Sequence, residues 1–256
     1  MQFGCCGSLE RGDIAHKAGF DYLEAGLVSL VPDEDDAAFA PILAEYQAAP
    51  LPVQAFNLFL SRSLKIVGPE VDERRMKIYI ERAIERAEKI GATIAVFGSG
   101  GSRSIPEDFP RAEAIDQIDY FLRCVADVAD DSAVTIAIEP LNRRESNIIN
   151  SVAEGTEFAK RVNRPSIRVL ADFYHMDEED EPLSHLVECK DWLAHIHVAD
   201  TNRKAPGTGE YPYPEFVRLL HEVGYDGMVS VECRWDDFES EAKPAADYLR
   251  SVFGAE

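Results

Sequence analysis

The sequence has few cysteines, and they lack the spacing of a structural site. Five cysteines occur in 256 residues, an odd number, and no CxxC pair is found among Cys5, Cys6, Cys124, Cys189 and Cys233. This pattern indicates neither a disulfide framework nor a thiolate zinc site. We therefore expect reduced thiols with mostly structural roles.

Long apolar runs are also missing. No stretch of about 18 or more apolar residues is present, which is the length that a membrane-spanning helix needs. The first residues, "MQFGCCGSLERG", lack the basic region and apolar core of a signal peptide. We expect a cytoplasmic protein without a membrane partner.

Basic residues are scarce. Lys and Arg number 26 against 47 Asp and Glu, so the formal net charge is -21. A surface of this sign repels the phosphate backbone of a nucleic acid, which is bound through cationic side chains. Nucleic acid is therefore not expected as a partner.

Two glycine-rich nucleotide-binding motifs are absent as well. No GxGxxG follows the first apolar segment, "MQFGCC", which disfavours an open dinucleotide-binding sheet. The segment "GSGGSR" at 98–103 could form a backbone anion site, but no GK[ST] accompanies it and no helix is predicted directly after it. Phosphate binding by this backbone is thus disfavoured.

Short apolar segments rich in β-branched residues recur along the chain, most of them followed by apolar positions three and four apart. This alternation predicts eight parallel strands with intervening helices. The clearest helix, 71–91, is predicted to stop at Gly91. Eight βα units in about 250 residues predict an α/β protein formed by a single (β/α)8 TIM barrel, one domain over 1–256. The strand segments are 1–6, 20–26, 51–59, 92–98, 133–140, 167–173, 193–200 and 227–233.

The last four predicted strands each end in a polar side chain. Successive positions are about 25 to 35 residues apart, close to one βα unit, so a closed barrel would bring them to one rim: Glu139, Asp172, His197 and Glu232. Oxygen and imidazole ligands suit several divalent cations. We expect Mn2+ as the bound metal, with Mg2+, Co2+ and Zn2+ as alternatives. Alternatively, each residue merely ends a strand. Three crowded carboxylates, however, would cost roughly several kcal/mol without a cation, which favours one divalent metal ion.

The sequence also resembles the xylose isomerase-like TIM barrels, and within them the D-tagatose and D-psicose 3-epimerase-like proteins. The resemblance spans most of the chain and is strongest in "IEPLNRRESNIIN", "ADFYHM", "HIHVADTNR" and "GYDGMVSVE". It implies that the metal ligands are Glu139, Asp172, His197 and Glu232. It also implies that the substrate is held by Glu145, His175 and Arg203.

The residue types fit proton transfer next to a ketone. Epimerisation at C3 through an enediolate removes a proton from one face and returns it to the other, which Glu139 and Glu232 could do as paired acid and base. The expected function is a metal-dependent isomerase or epimerase of a keto-sugar in carbohydrate metabolism, with a small sugar as partner. Purely structural roles remain open for two of the substrate residues. Arg203 could be a loop cation paired with Asp200, and His175 could cap a helix.

Three other functions compete. A dehydratase of the inosose or dehydroshikimate type would begin with the same proton abstraction. A barrel that binds sugar without catalysis would not need the full set of ligands and acid-base groups. An apurinic endonuclease would need further histidine ligands and a basic face, whereas the chain has six histidines and a charge of -21. The sequence leaves the oligomeric state open, a homo-oligomer included.

Overall fold

Eight parallel strands close into a barrel in the order of the chain, with the last strand paired to the first. The computed structural model describes residues 1–254. All eight predicted strands and the (β/α)8 barrel are confirmed, with tighter bounds: β1 Gln2–Cys6, β2 Tyr22–Gly26, β3 Val53–Asn57, β4 Ile94–Phe97, β5 Thr135–Ile138, β6 Ile167–Asp172, β7 Leu193–Val198 and β8 Met228–Val231. Residues 255 and 256 of the predicted domain lie outside the described residues.

Helices connect the strands and cover the outside of the barrel. The described helices are α1 Gly12–Ala18, α2 Asp36–Gln47, α3 Glu73–Ile90, α4 Gly100–Arg103, α5 Arg111–Ala129, α6 Val152–Val162, α7 Phe173–Glu178, α8 His185–Glu188, α9 Tyr213–Glu222 and α10 Phe238–Phe253. Short 3-10 turns occur at several loops. Within residues 1–254, no helix combines the length and the apolar character that crossing a membrane requires.

Helix α3 shows how local sequence fixes an element. The Asp72 side chain accepts a hydrogen bond from the backbone N–H of Arg75 at 3.0 Å and caps the first turn. Gly91 ends the helix with φ of 100°, a left-handed conformation that favours glycine. The predicted helix and its stop at Gly91 are therefore confirmed.

The barrel interior is layered, and the layering positions the site. Side chains two positions apart on one strand point to the same side of the sheet. An interior apolar residue is therefore followed, two positions nearer the carboxyl end of the strand, by a second interior residue, which here is polar. On β6, Leu170 belongs to a buried apolar cluster inside the barrel and Asp172 follows above it. On β2, Tyr22 and Glu24 are related in the same way. The closed lower layer thus supports a polar upper layer at the carboxyl ends of the strands.

Candidate metal centre and surrounding pocket

The four strand-end residues meet at one rim of the barrel. Glu139 and Glu232 directly follow β5 and β8, Asp172 is the last residue of β6, and His197 is the penultimate residue of β7. Their side chains offer ligand atoms that all lie within 4.8 Å of one another. The structure therefore brings together the whole group that the sequence predicted as metal ligands.

The imidazole of His197 lies at the centre of this group. Its Nδ1 atom is 3.2 Å from Glu139 Oε1, 3.5 Å from Glu232 Oε2 and 3.9 Å from Asp172 Oδ2. His197 is fully buried, while Asp172 and Glu139 are 2% and 5% exposed. One nitrogen and three carboxylate groups thus converge in a pocket with little access to bulk water.

Two features of this group fit a divalent cation. Asp172 Oδ1 accepts hydrogen bonds from the backbone N–H groups of Tyr174 and His175, but the buried Oδ2 atom has no hydrogen-bond partner among residues 1–254. A Cβ atom at Gly98 would lie 1.9 Å from Glu139 Oε2, so glycine leaves room for this carboxylate. A hard, oxygen-rich set with one imidazole suits Mn2+, Mg2+, Co2+ or Zn2+.

Crowding moves the pKa values of the carboxyl groups. Burial, followed by the charge of Glu232, raises the pKa of Glu139 and of Asp172. Burial acts in the same direction on Glu232, but the hydrogen bond and charge of His197 and the charge of Arg203 outweigh it and lower the pKa of Glu232. The carboxyl groups therefore repel one another when ionised, and a bound cation would relieve that repulsion.

Glu24 was not among the predicted site residues, yet it fixes the orientation of His197. Its two oxygens lie 2.8 Å from His197 Nε2 and 2.8 Å from His195 Nε2, and all three side chains are fully buried. A proton on His197 Nε2 directed at Glu24 leaves the Nδ1 lone pair facing the carboxylates, as metal-binding histidines require. Cys6 also lies near Glu24 and His197, but burial raises the pKa of its thiol and disfavours the thiolate.

Arg203 joins two carboxylates of the site. Its Nη2 atom donates to Glu232 Oε2 at 2.7 Å and its Nη1 atom to Glu145 Oε1 at 3.1 Å. The guanidinium also lies over the ring of Tyr174, 4.8 Å from its centroid. The alternative pairing with Asp200 is not observed, because the Asp200 carboxylate accepts hydrogen bonds from backbone N–H groups, among them that of Gly207 at 2.9 Å.

His175 is a buried helix residue next to the strand-end group. Helix α7 starts directly after β6, so His175 lies in its first turn and is only 3% exposed. Its Nδ1 atom accepts from the backbone N–H of Asn142 at 3.1 Å, which leaves the proton on Nε2. That Nε2 has no partner among residues 1–254 and lies 3.8 Å from Asp172 Oδ2, so a donor faces the group.

The glycine-rich segment 98–103 contains the short helix α4. As expected, no helix opens directly after the segment, because α5 begins only at Arg111. The Arg103 side chain is fully buried and donates to the backbone carbonyls of Phe97 and Glu139 at 2.8 and 2.7 Å. Arg103 therefore stabilises the loop that carries Glu139.

A cavity of about 430 Å3 opens above the strand ends, within the size range of small-molecule sites. Its lining includes the polar side chains of Glu139, Glu145, Arg203 and Glu232 and the apolar side chains of Leu58 and Leu60. Larger surface cavities of about 540 and 520 Å3 exist elsewhere. None of the strand-end carboxylates lines either of them, so the smaller cavity is the candidate site.

A family model described as "Xylose isomerase-like TIM barrel" matches residues 13–252. The chain belongs to this family. The resemblance noted in the sequence is thereby confirmed, and among the family's relatives is D-psicose 3-epimerase of Ruminiclostridium cellulolyticum, 36% identical over 112 residues. That match covers 43% of this chain and only 38% of the relative's length.

Other relatives match over a larger share of the chain. 3-Dehydro-D-guloside 4-epimerase of Escherichia coli is 30% identical over 177 residues, 66% of this chain and 68% of that protein. The crystal structure of D-psicose 3-epimerase with D-tagatose from Clostridium cellulolyticum H10 superposes with a TM-score of 0.86 over 99% of both chains, at 24% identity. At that identity the superposition supports the fold alone.

Proposed function

We propose that the protein is a metal-dependent sugar epimerase or isomerase, which moves a proton on the carbon next to a ketose carbonyl. C3 epimerisation of a free ketohexose or a similar keto-sugar through an enediolate is the expected reaction. The observation that carries the proposal is the convergence of Glu139, Asp172, His197 and Glu232 under a sugar-sized cavity. Relatives named as 3- and 4-epimerases support the same class.

The residues of the chain can divide the chemistry among them. A divalent cation held by the four strand-end residues would supply Lewis-acid stabilisation of negative charge on the substrate oxygens. Glu139 and Glu232 come from strands three apart in the ring of eight, which suits proton removal on one face and return on the other. Arg203 holds Glu232 at 2.7 Å and would orient this carboxylate toward the substrate.

The remaining residues would bind the sugar. His175 presents an Nε2 donor without a protein partner, suited to a substrate oxygen where negative charge develops. Glu145 accepts from Arg203 and from the Asn142 side chain at 3.2 Å, and its exposed carboxylate could accept from a sugar hydroxyl. These roles for Glu145, His175 and Arg203 remain part of the proposal.

Proton exchange in D2O tests the reaction directly. Ketoses, inososes and keto-acids would be incubated with the protein and Mn2+, and deuterium uptake read by NMR. We expect exchange at C3 of a ketose together with its epimer. A dehydrated product would favour the dehydratase, and no exchange with Mn2+, Mg2+ or Co2+ would overturn the proposal and favour a non-catalytic barrel.

Substitution of the two carboxylates separates the two faces. Glu139→Gln and Glu232→Gln should each abolish epimerisation, because return of the proton on the opposite face needs the second group. One variant should still exchange the C3 proton from the face that its remaining carboxylate serves. Full epimerisation by either variant would contradict the assignment. Mn2+ as the physiological metal, a cytoplasmic location and a homo-oligomer stay predictions.

A further inference from the structure

Two cationic side chains line the cavity in addition to Arg203. Arg62 and Lys65, in the connection between β3 and α3, are both part of its wall. Within residues 1–254, Arg62 forms no salt bridge, and Lys65 donates to the backbone carbonyl of Gly101 at 2.5 Å and to no carboxylate. An arginine and a lysine without acidic partners are notable in a chain of net charge -21.

Both cations lie against the same short segment. Lys65 bonds the Gly101 carbonyl, and Arg62 Cγ would be 3.8 Å from a Cβ atom placed on Gly101. Each retains donors for a ligand, because an ammonium has three N–H groups and a guanidinium five. The two positive groups thus form one cluster.

Hydrogen bonds hold the segment behind this cluster in place. The Ser99 Oγ atom accepts from the backbone N–H of Leu60 at 3.0 Å, and the Ser102 hydroxyl donates to the Ser61 carbonyl at 3.0 Å. The Ser99 hydroxyl proton remains available to a ligand, and Ser99 lines the cavity. The connections after β3 and β4 therefore form one rigid, positively charged wall.

We propose that this cluster of Arg62, Lys65 and Ser99 binds an anionic end group of the substrate, a phosphate ester or a carboxylate remote from the ketone. The inference rests on the proposed function, since it places the reacting end at the strand-end carboxylates that line the same cavity. Leu58 and Leu60 also line this cavity and would contact the carbon chain. Without such cations, the carboxylates of the site would repel an anionic sugar.

Binding of inorganic phosphate tests the cluster without turnover. Phosphate, and acetate as the carboxylate probe, would be titrated into the metal-loaded protein by calorimetry. We expect saturable binding of at least one probe, weakened about tenfold or more in Arg62→Gln and in Lys65→Gln. Preference for phosphate indicates a phosphate ester, and preference for acetate indicates a sugar acid.

Matched substitutions remove the same charges elsewhere. Lys17 lies in the last turn of α1 and Arg123 on the exposed face of α5, both exposed. Lys17→Gln and Arg123→Gln should bind the probes as the parent protein does. Equal weakening in these controls, equal binding in Arg62→Gln and Lys65→Gln, or no saturable binding of either probe would overturn the proposal.

A second experiment tests the cluster through the proposed reaction itself. Exchange of the C3 proton would be compared for a neutral ketose, its terminal phosphate ester and the corresponding keto-acid. We expect kcat/KM about tenfold or more higher for one anionic substrate, and a fall in Arg62→Gln that is larger for this substrate than for the neutral ketose, so that the preference is lost. A parent protein that prefers the neutral ketose would contradict the anion subsite while leaving the epimerase proposal intact. Probe binding without any proton exchange would support the anion subsite and contradict the epimerase proposal.

Discussion

His197 connects two buried parts of the molecule through the two nitrogens of one ring. Nδ1 faces the three carboxylates, and Nε2 contacts Glu24 at 2.8 Å. Because Glu24 also contacts His195, three fully buried side chains hold one another in a single arrangement. A carboxylate behind a histidine ligand fixes its tautomer and raises its basicity.

Replacement of Glu24 by glutamine tests this role. Glu24→Gln keeps the shape of the side chain but removes the charge that orients His197, so metal affinity should fall by about 10- to 100-fold. The measurement is a metal titration with Mn2+. Glu181→Gln is the matched control, since Glu181 also pairs with a histidine, His185 at 2.7 Å, away from the site. Unchanged affinity in Glu24→Gln would remove Glu24 from the metal site.

Arg203 and His175 are predicted to act on substrate rather than on metal. Arg203→Ala and His175→Ala should retain the metal, because neither side chain belongs to the group of four candidate ligands. Loss of one hydrogen bond to a charged oxygen costs roughly 1.5 to 3 kcal/mol, so turnover should fall about tenfold to a hundredfold. Metal content by elemental analysis and initial rates provide the two readouts. Metal loss in either variant would place that residue among the ligands.

At the scale of the elements, the strands could be predicted from the sequence and so could the residues at their ends. Parallel strands buried on both faces are short apolar runs, and a polar residue that ends such a run is visible in the sequence. Glu24 is also a strand residue, but its partners are His195 and His197, 171 and 173 positions away. A pairing at that separation depends on barrel closure and register, which local patterns do not specify.

Loops were predicted less well than strands. The start of α7 directly at the end of β6 buries His175, because Asp172 caps this helix through the backbone N–H groups of Tyr174 and His175. The sequence shows the residue types but not that one aspartate both caps a helix and faces the metal group. Likewise, the link between Arg203 and Glu145 spans 58 positions. The roles of these residues remain predictions.

The end of strand β4 contributes a glycine to the site, and the absence of a Cβ atom there leaves space for Glu139. Gly98 follows β4, and a Cβ atom there would lie 1.9 Å from Glu139 Oε2 and 3.1 Å from its Cδ. Gly98→Ala should push the Glu139 carboxylate aside and lower metal affinity about tenfold or more, by analogy with loss of an orienting contact. The end of a glutamate side chain can rotate, so the metal-free protein should melt nearly unchanged.

Gly101→Ala is the matched control for this substitution. Its added Cβ would meet only Arg62 Cγ at 3.8 Å, an ordinary contact distance. Metal titration and thermal melting of both variants give the comparison. Parent-like metal affinity in Gly98→Ala would show that the position of Glu139 does not limit metal binding.

For the whole molecule, the closed barrel explains why distant residues form one site. Its strands follow the order of the chain, so the four candidate metal ligands, which lie between positions 139 and 232, come from four neighbouring strands. We propose that this barrel is the single domain that the sequence predicted. Its net charge of -21 gives the molecule an overall negative potential, which favours the approach of a cation.

Metal binding should therefore stabilise the whole fold. The folded chain holds three carboxylates around one imidazole, and an unfolded chain does not, so a cation binds the native state preferentially. At a free metal concentration 100 times the Kd, this contributes about 2.7 kcal/mol. For a chain of this size that corresponds to a rise in Tm of about 5 to 10 °C, measured by thermal melts with Mn2+ and with excess chelator.

The Asp172→Asn variant shows whether that shift comes from the proposed centre. Asp172 Oδ2 is the buried oxygen without a protein partner, so an amide nitrogen or oxygen there replaces an anionic ligand by a neutral group. The variant should lose most of the rise in Tm on addition of Mn2+. Its metal-free Tm should fall little or even rise, because one of three repelling carboxylates has been removed. The same rise in Asp172→Asn as in the parent would place the stabilising cation elsewhere on the acidic surface, and the metal assignment would be wrong.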